Sequence, residues 1–234
     1  MKKLFFAVYF LLGIFLSLAL LLTVVDRVSF NAEYYLDSFD KNDISSITGM
    51  DMLNLEITIT DLIKYLRDDR ELLDTVAIVQ GKEREVFGER AVLHMVDVKY
   101  LFIAGRYIRN FSALAMLGLL LIAYKFDTKK RKFWANIRKT SYLTTGLNFL
   151  FICVIVAMTY FDFNRYFTYF HHIFFTNDLW LLDPSHEVLI QMLPLNFFIS
   201  TTVRIVVYYM SILVLINFGN MIFSLISKKR ISKV

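Results

Sequence analysis

Leu4–Val25, LFFAVYFLLGIFLSLALLLTVV, is a run of 22 residues without a charged side chain. At a rise of ~1.5 Å per residue, a bilayer core of ~30 Å is crossed by about 20 helical residues. The run is therefore long enough to span. Lys2 and Lys3 precede it as they would a secretion signal. It is too long for the apolar part of one, however, and Thr23-Val24-Val25-Asp26-Arg27 offers no A-x-A-like cleavage site. The reading is an uncleaved first span.

Three further apolar stretches follow, giving expected spans at 4–25, 104–124, 146–162 and 203–226. The second is short unless the helix starts near Ala104 and lets Arg106 and Arg109 reach outward to water. Composition agrees. Of 234 residues, 57% are hydrophobic, 16% aromatic and 20% charged, and Cys153 is the lone cysteine. A disordered chain has few aromatics, and a disulfide-stapled one has many cysteines. The expectation is an all-α membrane protein in one membrane domain, 1–234. Its four transmembrane helices leave a mostly helical extracytoplasmic domain between spans 1 and 2 and an aromatic interfacial segment between spans 3 and 4.

Charge sets the orientation. The 125–145 loop carries seven Lys/Arg against Asp127. The N-terminus adds Lys2 and Lys3, and the tail adds Lys228, Lys229, Arg230 and Lys233. The positive-inside bias puts all three in the cytoplasm. The outer segments are then 26–103 and 163–202, and with their flanks both are net acidic. The overall +5 is concentrated in these inner flanks, where anionic lipid accounts for it and nucleic acid is not needed.

In the first outer segment, Leu55, Ile59, Leu62, Ile63 and Leu66 recur at helical spacing within an expected helix over 53–73. The run Asp68–Glu71 reads as a solvated face. Thr75–Gln80 reads as a short strand, followed by a polar turn bracketed by Gly81 and Gly88. A helix begins again at Glu89 and is expected to bend near Gly105, laying His94 close to the membrane surface. In the second, Phe161–Trp180 holds nine aromatics, and the two prolines, Pro184 and Pro194, follow. With Asn177, Asp178 and Asp183 they predict irregular backbone dipping into the interface, with a lipid-accessible groove there. Such backbone survives at that depth only when buried in protein or lining a wet cavity.

Histidine is the usual acid/base near neutral pH. All four histidines fall in the outer segments. His94 and Asp97, three apart, share a helix face. A metal site built on His94, Asp97, His171 and His172 lacks a recognised ligand spacing, and no nucleophile elbow surrounds any serine. Cys153, within the third span, reads as inert packing. Arg204 reads as an interfacial anchor or an anion clamp. Asn217 and Asn220 read as inter-helix contacts.

Two motifs give a resemblance. His94-Met95-Val96-Asp97-Val98-Lys99 reads as H-M-x-D-V-K. Phe170-His171-His172-Ile173-Phe174-Phe175 is followed by Asn177, Trp180, Leu182, Pro184, Leu189-Ile190, Pro194 and Phe197-Phe198. Together they resemble the bacterial lipoprotein intramolecular transacylases, with Glu187 where that family usually has Asp. The resemblance implies a membrane acyltransferase acting on a diacylated bacterial lipoprotein among membrane lipids. It would move the sn-2 acyl chain of the diacylglyceryl-Cys to the Cys α-amino group, with no cofactor or metal. It implies His94 and His171 as the acid/base pair, with Asp97 fixing the His94 tautomer. Asn177 and Trp180 are then oxyanion or headgroup donors, and Lys99 and Arg204 substrate contacts. The alternatives are a membrane lipid or ester hydrolase and a non-enzymatic membrane partner. Oligomeric state is not legible.

Overall fold

Each apolar stretch becomes the middle of a longer helix, because intrahelical backbone hydrogen bonding continues past the apolar limit. The structure is a computed structural model that describes residues 2–127 and 130–231. Lys233 of the basic tail and Thr128-Lys129 of the basic loop lie outside the described residues. The elements are α1 (Lys2–Ser29), α2 (Ala32–Lys41), α3 (Ile44–Thr48), α4 (Met52–Arg67), β1 (Val76–Val79), β2 (Lys82–Glu85), α5 (Glu89–Phe126), α6 (Lys130–Phe174), α7 (Val188–Met192) and α8 (Leu195–Ile231). Four helical stretches are long and apolar enough to cross a membrane: Phe6–Ser29, Glu89–Phe126, Lys130–Met158 and Leu195–Ser227. The chain is an all-α membrane protein with a single small hairpin among the described residues.

The contacts divide the chain into two compact units. The first comprises Met1–Val24, Tyr107–Tyr160 and Ile205–Val234. Its outward side chains include Leu117, Leu121, Phe149, Leu150, Leu215 and Phe218, all exposed. Such a surface is costly in water and neutral against lipid. Polar and small side chains join the helices inside. A Cβ on Gly13 would lie 2.4 Å from Thr144 Oγ1, so α1 and α6 approach closely there. Asn148 donates to Ser17 Oγ at 2.8 Å and accepts from the Tyr209 hydroxyl at 2.7 Å. Asn217 accepts from Ser141 at 2.5 Å and donates to Thr145 at 2.7 Å, an inter-helix contact as expected. Cys153 is exposed on α6 rather than packed inside.

The second unit comprises Val25–Arg106 and Phe161–Arg204. Its core gathers Phe39, Ile44, Leu55, Ile59, Val79, Ala91, Val188 and Met192. The five α4 residues expected at helical spacing are all buried. Asp51 caps α4 by accepting from Asn54 N at 2.8 Å. The helix ends at Arg67, six residues before the expected Leu73, with Asp68 as its left-handed C-cap. Asp68 and Arg70 are not merely solvated. Lys99 pairs with Asp68 at 2.7 Å, and Arg70 pairs with Asp61 and with Asp74.

Three expectations change. The expected turn after Gln80 contains β2, paired antiparallel to β1 with Val79 opposite Lys82. Gln80 and Gly81 both take positive φ, 52° and 75°, as a two-residue hairpin turn twisted like its strands requires. All four β2 side chains are exposed, so no apolar alternation announces that strand. Second, α5 runs unbroken through Gly105, so the expected bend there is absent and His94 lies roughly 16 Å along the helix axis from Gly105. Third, helix replaces much of the expected irregular backbone. The basic 125–145 loop is helical from Lys130, and α6 continues to Phe174 with one non-helical residue, Asp162. Asp162 restarts it as an N-cap, accepting from Arg165 N at 3.1 Å. Irregular backbone in this segment is confined to 175–187 and 193–194, and α8 starts directly after Pro194, eight residues before the expected 203. Proline is favourable at a helix start, where no N–H is needed.

Candidate active site

The first two turns of α5 present Arg90, His94 and Asp97 at i, i+4 and i+7, a single helix face. The helix can begin tightly against α7's leading loop because residue 88 is glycine. A Cβ there would lie 2.9 Å from the Glu187 carboxylate. The 177–182 loop is fastened to this face at two points. Arg90 Nε donates to Leu181 O at 3.1 Å, and its guanidinium also engages Asp178 through backbone and carboxylate. Asn177 Nδ2 donates to Asp97 Oδ2 at 2.8 Å. Within the loop, Asn177 Oδ1 accepts from Leu179 N at 3.1 Å, an Asx turn.

This anchoring sets Trp180 on His171, with ring centroids 4.6 Å apart and planes 26° apart. His171, on the last turn of α6, donates Nδ1–H to Phe167 O at 2.7 Å. A carbonyl can only accept, so the neutral ring carries its proton on Nδ1 and its lone pair on Nε2. The His94 and His171 ring centroids are 6.0 Å apart, and Phe175 packs against both. His94 is 7% and His171 6% exposed. They are covered by aromatic rings.

Burial decides their charge. It pushes His94 down from 6.5 to about 4; the nearby His171 adds to this and the Asp97 carboxylate opposes it. Burial also lowers His171, partly offset by the Phe167 carbonyl. Both are neutral at physiological pH.

The other expected site residues are engaged within the fold. Asp97 makes no hydrogen bond to His94 among the described residues; its Oδ2 accepts from Asn177. His94 Nδ1 is buried with no hydrogen-bond partner among the described residues. Trp180 donates its indole N–H to Asn177 O at 3.1 Å, so it stacks on a histidine rather than offering a donor. Asn177 likewise has its amide on Asp97. Lys99 lies roughly 140° around α5 from His94, where it bonds Asp68, Arg70 O and the Tyr65 ring. Arg204 lies over the Tyr34 ring at 4.1 Å. His172 is exposed and edge-on to Trp180 at 5.4 Å, and His186 pairs with Asp183 at 3.0 Å. Among the described residues, no three His, Cys, Asp or Glu side chains converge as a metal site would require. Arg90 was missed, although its spacing of one turn before His94 placed it on the same face.

Residues 10–198 match the family described as lipoprotein intramolecular transacylase Lit. The fold is similar to solved structures of the membrane integral lipoprotein intramolecular transacylase Lit from Bacillus cereus. One is 19% identical, with a TM-score of 0.75, covering 99% of this chain and 100% of that one. Two others have one histidine replaced. The arginine variant is 20% identical, with a TM-score of 0.76 and 99% and 96% coverage of the two chains. The alanine variant is 20% identical, with a TM-score of 0.75 and 98% and 97% coverage. No curated protein sequence matches the chain. The match over residues 10–198 shows that the chain belongs to the lipoprotein intramolecular transacylases, a family of membrane enzymes with lipoprotein substrates.

Proposed function

We propose that this chain moves the sn-2 acyl chain of a lipoprotein's diacylglyceryl-Cys to the α-amino group of the same Cys, leaving a lyso-form lipoprotein. The observation that carries the reading is the pair of buried, neutral histidines with ring centroids 6.0 Å apart. The substrate's α-ammonium, with a reference pKa of ~7.7–8.0, must first lose a proton. His171 Nε2 takes it. The amine attacks the sn-2 carbonyl, a C–N bond forms, and the ester C–O bond breaks. The nitrogen gives up a second proton as the amide forms; the histidine pair passes one proton to the departing glycerol oxygen and releases the other to water, so ammonium and ester become amide, alcohol and one proton. His94 is the second acid/base, and the negative field of Asp97 favours its protonated form. Amine and ester belong to one molecule, so the site's main task is holding them in a near-attack geometry.

The same reading places spans 4–25, 104–124, 146–162 and 203–226 in the membrane, both termini and the 125–145 loop inside, and the histidines outside. Mass spectrometry of the N-terminal peptide of a reporter lipoprotein tests the reaction. N-acyl peptide with a lyso glycerol is expected, and it disappears when His171 is replaced. Free fatty acid with an unacylated amine identifies a hydrolase instead.

A further inference from the structure

The first unit holds a constellation that acyl transfer does not use. A cavity of about 880 Å³ lies between α1 and α6, within the ~300–1,000 Å³ range of small-molecule sites. Ile14, Leu18 and Leu147 line its apolar length, and Asp127, Asn136 and Lys139 line its polar end. Asp127, in the connection between α5 and α6, is only 6% exposed. Its Oδ2 accepts from the Tyr9 hydroxyl at 2.5 Å and from Asn136 Nδ2 at 3.1 Å. Its Oδ1 is buried with no hydrogen-bond partner among the described residues. A buried carboxylate oxygen without a donor is costly, and a cationic donor satisfies it best. Lys139 makes no ion pair among the described residues. Carboxylate and ammonium thus sit at one end of an apolar slot.

We propose that this cavity binds one glycerophospholipid whose headgroup carries a primary ammonium beside its phosphate. The ammonium pairs with Asp127, the phosphate with Lys139, and an acyl chain lies along Ile14, Leu18 and Leu147. The charges of this zwitterion complement the two side chains. A quaternary ammonium has no N–H to give Asp127, and an uncharged headgroup has no cation for it.

The test is native mass spectrometry of the full chain in mild detergent, titrated with phosphatidylethanolamine, phosphatidylcholine or phosphatidylglycerol of identical acyl chains. Phosphatidylethanolamine is expected to bind about tenfold more tightly than phosphatidylcholine, the effect of one charge-assisted hydrogen bond. Asp127→Asn, which keeps an acceptor for Tyr9, should remove that preference, and Lys139→Gln should weaken both lipids. Equal binding of the two zwitterions by the unaltered protein overturns the proposal. So does a preference that survives Asp127→Asn, or tighter binding of phosphatidylglycerol than of phosphatidylethanolamine. If Asp127→Asn does not fold, the comparison on the unaltered protein decides. Lipid occupancy is read independently of acyl transfer, so failure here leaves the histidine reading untouched.

Discussion

Trp180 is stacked on His171 at 4.6 Å while its indole N–H is held by the Asn177 carbonyl at 3.1 Å. One side of the imidazole is therefore covered by a ring that is itself fixed, and its Nδ1 is fixed by Phe167. In the proposed mechanism Nε2 is the ring atom that exchanges the proton.

Replacing His171 or His94 with Ala should lower formation of lyso-form lipoprotein by ~10²–10⁴-fold, the usual cost of losing a positioned acid/base. His172→Ala and His186→Ala should be mild. The measurement is the N-terminal acylation state of a reporter lipoprotein at matched expression. Wild-type activity in both His94→Ala and His171→Ala would overturn the mechanism.

Asp97→Asn keeps an acceptor for Asn177 but removes the charge that favours protonated His94. The expected result is reduced turnover with little change in stability, and a smaller loss than in His94→Ala. Single-turnover kinetics together with a melting curve separate the two effects. A large drop in melting temperature would make Asp97 a structural residue.

Arg90→Ala should free the 177–182 loop and release Trp180 from His171. Hydrogen bonds to a charged group contribute ~1.5–3 kcal/mol, which corresponds to roughly 10–150-fold in activity if the loop must be held. Trp180 emission should shift to the red, with Trp134 replaced by Phe beforehand. Arg90→Lys should recover only part, since an ammonium cannot bridge Leu181 and Asp178 in the same fork. Unchanged emission and unchanged activity would count against the clamp.

Stability should fall in acid through the histidines. Both have folded pKa values below the unfolded 6.5, His94 at about 4. The unfolded chain then binds more protons at intermediate pH, so stability is full above about 6.5 and is lost as pH falls toward 4. For His94 alone the loss is on the order of 3 kcal/mol. Melting curves in detergent from pH 8 to 4.5 should show it, and His94→Asn should flatten the profile. An unchanged slope in that variant would assign the acid sensitivity elsewhere.

Orientation is checked by cysteine labelling. In a Cys153→Ala background, itself expected to be active because no acyl-enzyme forms, Lys82→Cys and Ser185→Cys should label from outside intact spheroplasts. Both side chains are exposed in the second unit. Protection of both positions would invert the topology.

The sequence by itself determined the membrane class, the four apolar helices, the amphipathic face of α4 and the family. Each is written in local runs or fixed spacings, so periodicity and motif suffice to read it. It also singled out His94 and His171, but not that residues 77 apart would bring their rings to 6.0 Å. Only the tertiary structure decided how the parts are used. β2 was illegible because its side chains are all solvated and only backbone pairing makes it a strand. A bend at Gly105 would bring His94 to the membrane surface; intrahelical hydrogen bonds hold α5 unbroken instead. Asp97 looked like the partner of His94 because they share a helix face. Asn177, 80 residues further along the chain, donates to Asp97 Oδ2 instead. Hydrogen-bond partners of buried polar groups are chosen by which donors packing brings within reach, and sequence spacing does not encode that choice.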